Sequence, residues 1–314
     1  MPINRRTFLG AAFAATGALA FNFRRATSQA SPSATPISVD PKTVKHGLKA
    51  TSRVALGKSG IKVSLVGIGT GTYGSGNNSN QTRLGDEGFK TLMHHAFDHG
   101  INFFDLADSY GSGPYFGRAM KGIARDKYVL QSKADARDPK EARQRLETIL
   151  RELNTDYLDS FLVHCVSEGD WTTRYAPLLS EFEKFKSEGK IRAHGVTCHS
   201  FEALQAAYKS DWVQVHQVRW NAYQSHMDND VATCRDLFAQ MRRKGQGMIG
   251  MKVVGEGNLV NGKNAVAPAE CFRHQIESGV VDAFVVGCES TTHIDQLLAG
   301  TQKALDELGY RTKI

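Results

Sequence analysis

Cysteine is scarce in this chain and badly placed for crosslinking: Cys165, Cys198, Cys234, Cys271 and Cys288 are an odd number at irregular spacings, with no C-x-x-C pair. That argues against a disulfide framework. Several of the five lie in apolar runs, where a small buried thiol is the default. The chain also lacks a membrane span. The apolar stretch from Gly10 to about Phe23 falls short of the ~20 residues a helix needs to cross a bilayer. Nor is there a Lys/Arg stripe interleaved with aromatics, so nucleic acid is not an expected partner. The net charge of +7 does not change this, because residues 1–30 hold Arg5, Arg6, Arg24 and Arg25 and no acid, and removing those four leaves +3 for the rest. No internal repeat accompanies the strand and helix pattern described below.

What the amino terminus does have is Asn4-Arg5-Arg6-Thr7-Phe8-Leu9, then the short apolar stretch, then the small-residue segment Ser28-Gln29-Ala30 where a leader could be cut. Residues 1–30 read as a twin-arginine (Tat) export signal, and residues 31–50 as a linker, Ser/Pro/Ala-rich as far as 46. An uncleaved anchor held by Arg24-Arg25 is the competing reading. The Tat route carries folded proteins. The expectation is therefore a periplasmic protein that meets the Tat machinery, keeps no stable membrane span after cleavage, and is exported with any cofactor already bound. Free thiols fit folding in a reducing compartment.

From residue 51 onward the pattern is regular. Arg53 to Val63 holds two short apolar runs around a Gly/Ser turn, the signature of a β-hairpin. Apolar strand candidates follow at 64–68, 102–105, 128–132, 158–163, 192–196, 213–217, 247–251 and 282–286, separated by segments of helical periodicity such as Glu141 to Leu153 and Leu178 to Ser187. Eight strand-helix units whose strands are apolar on both faces predict an α/β fold, a (β/α)8 TIM barrel over residues 51–314 with an N-terminal β-hairpin. Such barrels carry their chemistry at the C-terminal strand ends. Those ends hold Asp105, Tyr110, Lys133, His164, Thr197, His199 and Gln217.

The segments Phe103-Phe104-Asp105-Leu106-Ala107-Asp108-Ser109-Tyr110-Gly111, Gln131-Ser132-Lys133 and Leu162-Val163-His164 match the aldo-keto reductase pattern in residue type, spacing and order. Gly67-Ile68-Gly69-Thr70-Gly71-Thr72-Tyr73-Gly74 is similar to that family's first strand and loop, where Gly69 and Thr70 would meet the cofactor. The resemblance extends from about Arg53 to Leu298. It implies hydride transfer between a nicotinamide cofactor and a small carbonyl or alcohol, with Tyr110, Asp105, Lys133 and His164 as the catalytic set. The chemistry of those four is coherent on its own terms. A phenol of pKa ~10 is a poor donor near neutrality, so a nearby ammonium, Lys133, is expected to lower it. Asp105 would hold Lys133 charged, and His164 would bond the substrate oxygen.

The same resemblance places the cofactor. Thr197 and His199 would stand where relatives hold the nicotinamide amide with a Ser-Asn pair, and Gln217 on strand 6 would join them; Cys198 cannot replace the Asn amide. Met251 occupies the position of a stacking aromatic, where its sulfur can still pack on a ring. Lys252 is either a diphosphate contact or a solvated strand-end charge. At the last strand-helix junction Gly287, Glu289 and Ser290 would meet the ribose and phosphates and Gln296 the adenine. With Glu289 present and no Lys or Arg before Lys303, NAD is preferred over NADP. Tyr73 and Trp171 sit in polar loops that suit a polyol, which suggests a sugar as substrate. The chain ends about a dozen residues after its last helix candidate, so the pocket is expected to be open.

Three alternatives stand beside this reading. A captive NAD(P) could serve a redox-neutral modification of a sugar, since the periplasm has no obvious pool of free cofactor. His164, Cys165, Cys198, His199 and His216 could instead be zinc ligands of a metal-dependent barrel hydrolase, although strand 1 offers no His-x-His pair. The chain could also be a non-catalytic, cofactor-sensing binding protein.

Overall fold

The computed structural model describes residues 47–310. The proposed leader, residues 1–30, and most of the linker lie outside the described residues. The last linker residues are already part of the packed body: Ala50 is buried, its N–H donates to Gln302 Oε1, and its carbonyl accepts from Val66.

A hairpin of β1 (Arg53–Ala55) and β2 (Lys62–Ser64) precedes eight parallel strands. These are β3 (Val66–Gly69), β4 (Phe103–Asp105), β5 (Val129–Ala134), β6 (Leu158–Val166), β7 (Ile191–Cys198), β8 (Val215–Arg219), β9 (Gly247–Met251) and β10 (Ala283–Val286). They pair in sequence order, and β10 pairs with β3 to close the barrel. The (β/α)8 barrel and its N-terminal hairpin are as the sequence predicts, with strands displaced by at most two or three residues.

The helices are α1 (Gly85–Asp98), α2 (Gly113–Ala119), α3 (Pro139–Leu153), α4 (Trp171–Arg174), α5 (Ala176–Ser187), α6 (Phe201–Lys209), α7 (Val231–Lys244), α8 (Pro268–Glu277) and α9 (Thr291–Glu307). Their starts are written locally. Pro139, Pro177 and Pro268 sit at the first or second helical position, where no N–H is needed. Asp138, Ser200, Asp230 and Ser290 cap their helices by accepting backbone N–H groups.

Side-chain alternation divides the strands into two cores. Outward residues such as Phe104, Leu130, Phe161, Val196 and Val218 pack under the helices. Inward residues Phe103, Val129, Leu162, Ala193, Val215, Ile249, Ala283 and Val285 fill the barrel and meet Leu56, Ile61 and Val63 of the hairpin, which closes the N-terminal end. The hairpin turn is fastened there by the Gly57 N–H to Asp282 Oδ2 (3.2 Å) and the Lys58 N–H to the Gly245 carbonyl (2.8 Å).

Candidate active site

The same alternation carries the polar residues upward. On β5, Val129 points inward, so Gln131 and Lys133 do too. Lys133 Nζ donates to Asp105 Oδ1 (2.5 Å) and to the Leu106 carbonyl (2.7 Å), and both partners of this ion pair are buried. Asp105 is held further by Gln131 Nε2 on Oδ1 (2.9 Å) and Gln217 Nε2 on Oδ2 (2.8 Å), while Ser160 Oγ donates to Gln131 Oε1 (2.9 Å). Each oxygen of the buried carboxylate thus has a partner, the condition under which a buried charge is tolerated.

Tyr110 ends a short 3-10 turn after β4, and Gly111 follows in the left-handed region at φ 68°. Its ring rests against Gly71 and Gly74 of the loop after β3, where an added Cβ would collide with the ring. The Lys133 ammonium lies 5.2 Å from the ring centre. The expectation that the Tyr110 phenol is lowered overall is corrected here. Burial pushes that phenol well above its usual value, and the Asp105 charge adds to the effect. Tyr110 is therefore held as the neutral phenol, a proton donor.

His164 is the last inward residue of β6 before the strand breaks. Cys165 has φ 57°, and the register with β7 shifts between Val163 and Val166, a bulge of the kind that re-aims side chains at functional sites. The Cys165 N–H donates to Thr197 Oγ1 (2.8 Å), and Arg137 Nη2 donates to the carbonyls of His164 (2.9 Å) and Cys165 (3.2 Å). The imidazole of His164 stands edge-on to Tyr110 at 5.9 Å. Burial, then the neighbouring Lys133, His199, Arg137 and Lys252, hold it well below its usual value. It is neutral, and its ring makes no hydrogen bond among the described residues. His199 lies beside it, ring centres 6.4 Å apart, and is depressed to about 4 by burial and by Arg219 and Lys252.

A cavity of about 620 Å³ runs from Asp105, Tyr110 and Gln217 past Met251 and Lys252 to Gly287, Glu289, His293 and Gln296, with Gly69 and Tyr73 on its wall. Gly287 brings backbone to the cavity at a point where a side chain would strike Thr72. Two bridges cross between its walls. Tyr73 Oη donates to the Glu256 carbonyl (3.0 Å), and Asn80 Nδ2 donates to Glu289 Oε1 (2.7 Å). Lys252 is paired with Glu256. Ser290 Oγ caps α9 by accepting the His293 N–H (3.2 Å).

Three expectations are corrected. Trp171 is no substrate platform: it is fully buried, with its indole N–H on the Ala203 carbonyl (3.2 Å). Thr70 is also withdrawn from the cofactor, because its hydroxyl is buried against the Asp105 carbonyl (3.1 Å) and Ser112 Oγ (2.7 Å). The five proposed zinc ligands do not converge either. Cys198 belongs to the outer core, and His216 faces the same way, since its neighbours Val215 and Gln217 are the inward residues. Sequence reasoning missed Gln131, Ser160, Arg137 and Arg219. Arg219, the inward residue two after Gln217, is paired with Asp228, and alternation along β8 would have flagged it.

Fold and site together define a parallel barrel with a Tyr-Lys-Asp-His centre at the mouth of a long crevice. The family model described as Aldo/keto reductase family matches residues 65–308, and the chain belongs to that family. A Glycine max protein named for the same family is 27% identical over 229 residues, which cover 68% of this chain and 62% of that protein's length. Among solved structures, a Pseudomonas aeruginosa protein described as an aldo-keto reductase superposes with a TM-score of 0.67 at 23% identity, covering 82% of this chain and 98% of that one. An aldo-keto reductase from Klebsiella pneumoniae in complex with NADPH gives a TM-score of 0.62 at 20% identity, covering 83% and 96%.

Proposed function

We propose that the protein transfers hydride between the nicotinamide of NAD(P) and a small carbonyl or alcohol, with Tyr110 as the general acid. The observation that carries this reading is that Tyr110, backed by the buried Lys133–Asp105 pair, lines a crevice of about 620 Å³ that extends to Glu289 and Gln296 beside the N-terminus of α9. That crevice fits the cofactor on its own evidence. Gly69 and Gly287 let backbone approach a ligand, Met251 offers a polarizable face, and the N-terminus of α9 presents backbone N–H groups suited to phosphate. Gln217, Met251, Lys252, Gly287, Glu289 and Gln296 would hold it. When bound, it supplies or accepts the hydride.

The chain supplies the rest. The neutral His164 donates its N–H to the substrate oxygen and orients it. Tyr110 Oη then gives its proton to that oxygen as negative charge develops there, and the tyrosinate left behind is stabilised by the Lys133 ammonium. Asp105, fixed by Gln131 and Gln217, keeps that ammonium charged in a buried place.

The finer parts of the proposal are a sugar-like polyol as substrate, NAD in preference to NADP, export by the Tat route through Arg5-Arg6, and a captive cofactor. Asn261 on the cavity wall supports a polyol. Glu289 on that wall supports NAD, and the Tyr73–Glu256 and Asn80–Glu289 bridges support retention. Captivity would make a redox-neutral reaction through a transient ketone the natural cycle. The test is to purify the protein without added cofactor, denature it and identify the released nucleotide, then incubate the native protein with glycosides in deuterated buffer and follow exchange by NMR. Bound nucleotide and exchange are expected. Nucleotide-free protein that turns over only with supplied cofactor rejects captivity and leaves an ordinary dissociating reductase.

A further inference from the structure

A second cluster of ligating side chains lies outside the crevice, at the seam where the barrel closes. The helices of the first and last strand-helix units, α1 and α9, pack side by side there. His95 in the last turn of α1 and His99, which caps that helix, stand one turn apart with ring centres 4.1 Å apart, and Asp295 on α9 meets them. One nitrogen from each ring and one carboxylate oxygen all lie within 4.8 Å of one another. His95 Nε2 is 2.7 Å from Asp295 Oδ1, and His99 Nδ1 is 2.8 Å from the His95 carbonyl. A carbonyl only accepts, so His99 Nδ1 carries the proton and the neutral ring keeps its lone pair on Nε2. That backbone bond is the second contact that orients metal-bound histidines. A simple His95–Asp295 hydrogen bond accounts for two of the three groups; it gives no role to His99.

We propose that His95, His99 and Asp295 form a surface site for one late first-row divalent ion, of which Zn²⁺ is the probe, and that the ion pins α1 to α9 across the seam. Two imidazoles and a carboxylate favour Zn²⁺, Ni²⁺ or Cu²⁺ over Mg²⁺ or Ca²⁺. Metal-ligand distances of about 2.0–2.2 Å require the three atoms to draw closer. The exposed side chains of His99 and Asp295 can do this by rotating about their own bonds. The His95 proton facing Asp295 gives way to the ion and moves to Nδ1, and water completes the coordination. The ion would also steady the first turns of α9, where Gln296 adjoins Asp295 and lines the crevice.

The experiment uses untagged mature protein, isothermal titration with Zn²⁺, and thermal unfolding with and without it. One saturable Zn²⁺ per chain and a raised melting temperature are expected, with no response to Mg²⁺. His99→Ala and Asp295→Asn should each weaken Zn²⁺ binding about tenfold or more, and His99→Ala should leave the metal-free melting temperature unchanged. Absence of saturable binding overturns the proposal. So do two folded variants that titrate like the parent, which would place the ion elsewhere on the chain.

Discussion

The two ends of this barrel are made from the same eight strands and by opposite chemistry. At the N-terminal end the inward positions are Phe103, Val129, Leu162, Val215 and Ile249, sealed by Leu56, Ile61 and Val63 of the hairpin. One pleat higher, the inward positions become Asp105, Gln131, His164 and Gln217, and one more step on β5 brings Lys133. The lower layer stabilises by removing apolar surface from water. The upper layer gains little net stability, because desolvating two charges offsets most of their attraction. The difference teaches that substitutions at the two ends should separate stability from turnover, except where an upper substitution strands a buried charge.

Tyr110→Phe is the sharpest test and carries the largest expected effect. It deletes one hydroxyl facing the cavity and no packing, so turnover should fall about 10²–10⁴-fold with the melting temperature unchanged. Steady-state kinetics beside thermal unfolding measure both. Parent-like turnover in a folded Tyr110→Phe protein rejects Tyr110 as the acid.

Lys133→Met breaks the separation deliberately. It leaves the Asp105 carboxylate buried with only the amides of Gln131 and Gln217, an uncompensated charge that should cost about 3–5 kcal/mol of stability in addition to activity. Denaturant titration reads the loss. Adding Asp105→Leu should restore much of the stability and none of the turnover; failure of the double variant to recover would mean that the ammonium acts through packing rather than charge.

Leu56→Ala is the reverse case. Leu56 is fully buried in the hairpin plug, and truncating such a residue costs about 2–5 kcal/mol. The folded fraction should keep the parent kcat, since nothing at the upper end touches this side chain. A kcat that falls with stability would show that the plug sets the geometry of the mouth.

The contrast between the ends also governs how much could be read from residues alone. Strands apolar on both faces announced the barrel. The four residues proposed as catalytic were legible because they match a family pattern in type, spacing and order, at strand ends that periodicity locates to within a few residues. What stayed hidden depends on partners distant in sequence. Trp171 looked like an aromatic in a polar loop, yet it begins α4 and is buried with its indole on Ala203, 32 residues away. The hydroxyl of Thr70 looked free until the structure brought Asp105 and Ser112 to it. The direction of the Tyr110 shift needed the burial of the phenol and the nearness of Asp105, which no spacing rule supplies.

The smallest expected effect lies at the far end of the crevice. Glu289 lines the cavity with its carboxylate accepting from Asn80, while Ser290 is occupied in capping α9. On the proposed placement of the cofactor, a carboxylate there would repel the 2′-phosphate of NADPH and accept from the ribose hydroxyl of NADH. Glu289→Arg removes the repulsion and adds a planar donor, and a hydrogen bond to a charged group contributes about 1.5–3 kcal/mol. The NADPH-to-NADH affinity ratio should therefore rise roughly tenfold or more, measured by fluorescence titration of both nucleotides. Glu289→Gln separates the two contributions, since it removes the charge without adding a cation and should move the ratio by less. If both variants keep the parent ratio, Glu289 does not stand at the 2′ position, and the Asn80–Glu289 bridge is a wall contact with no part in cofactor choice.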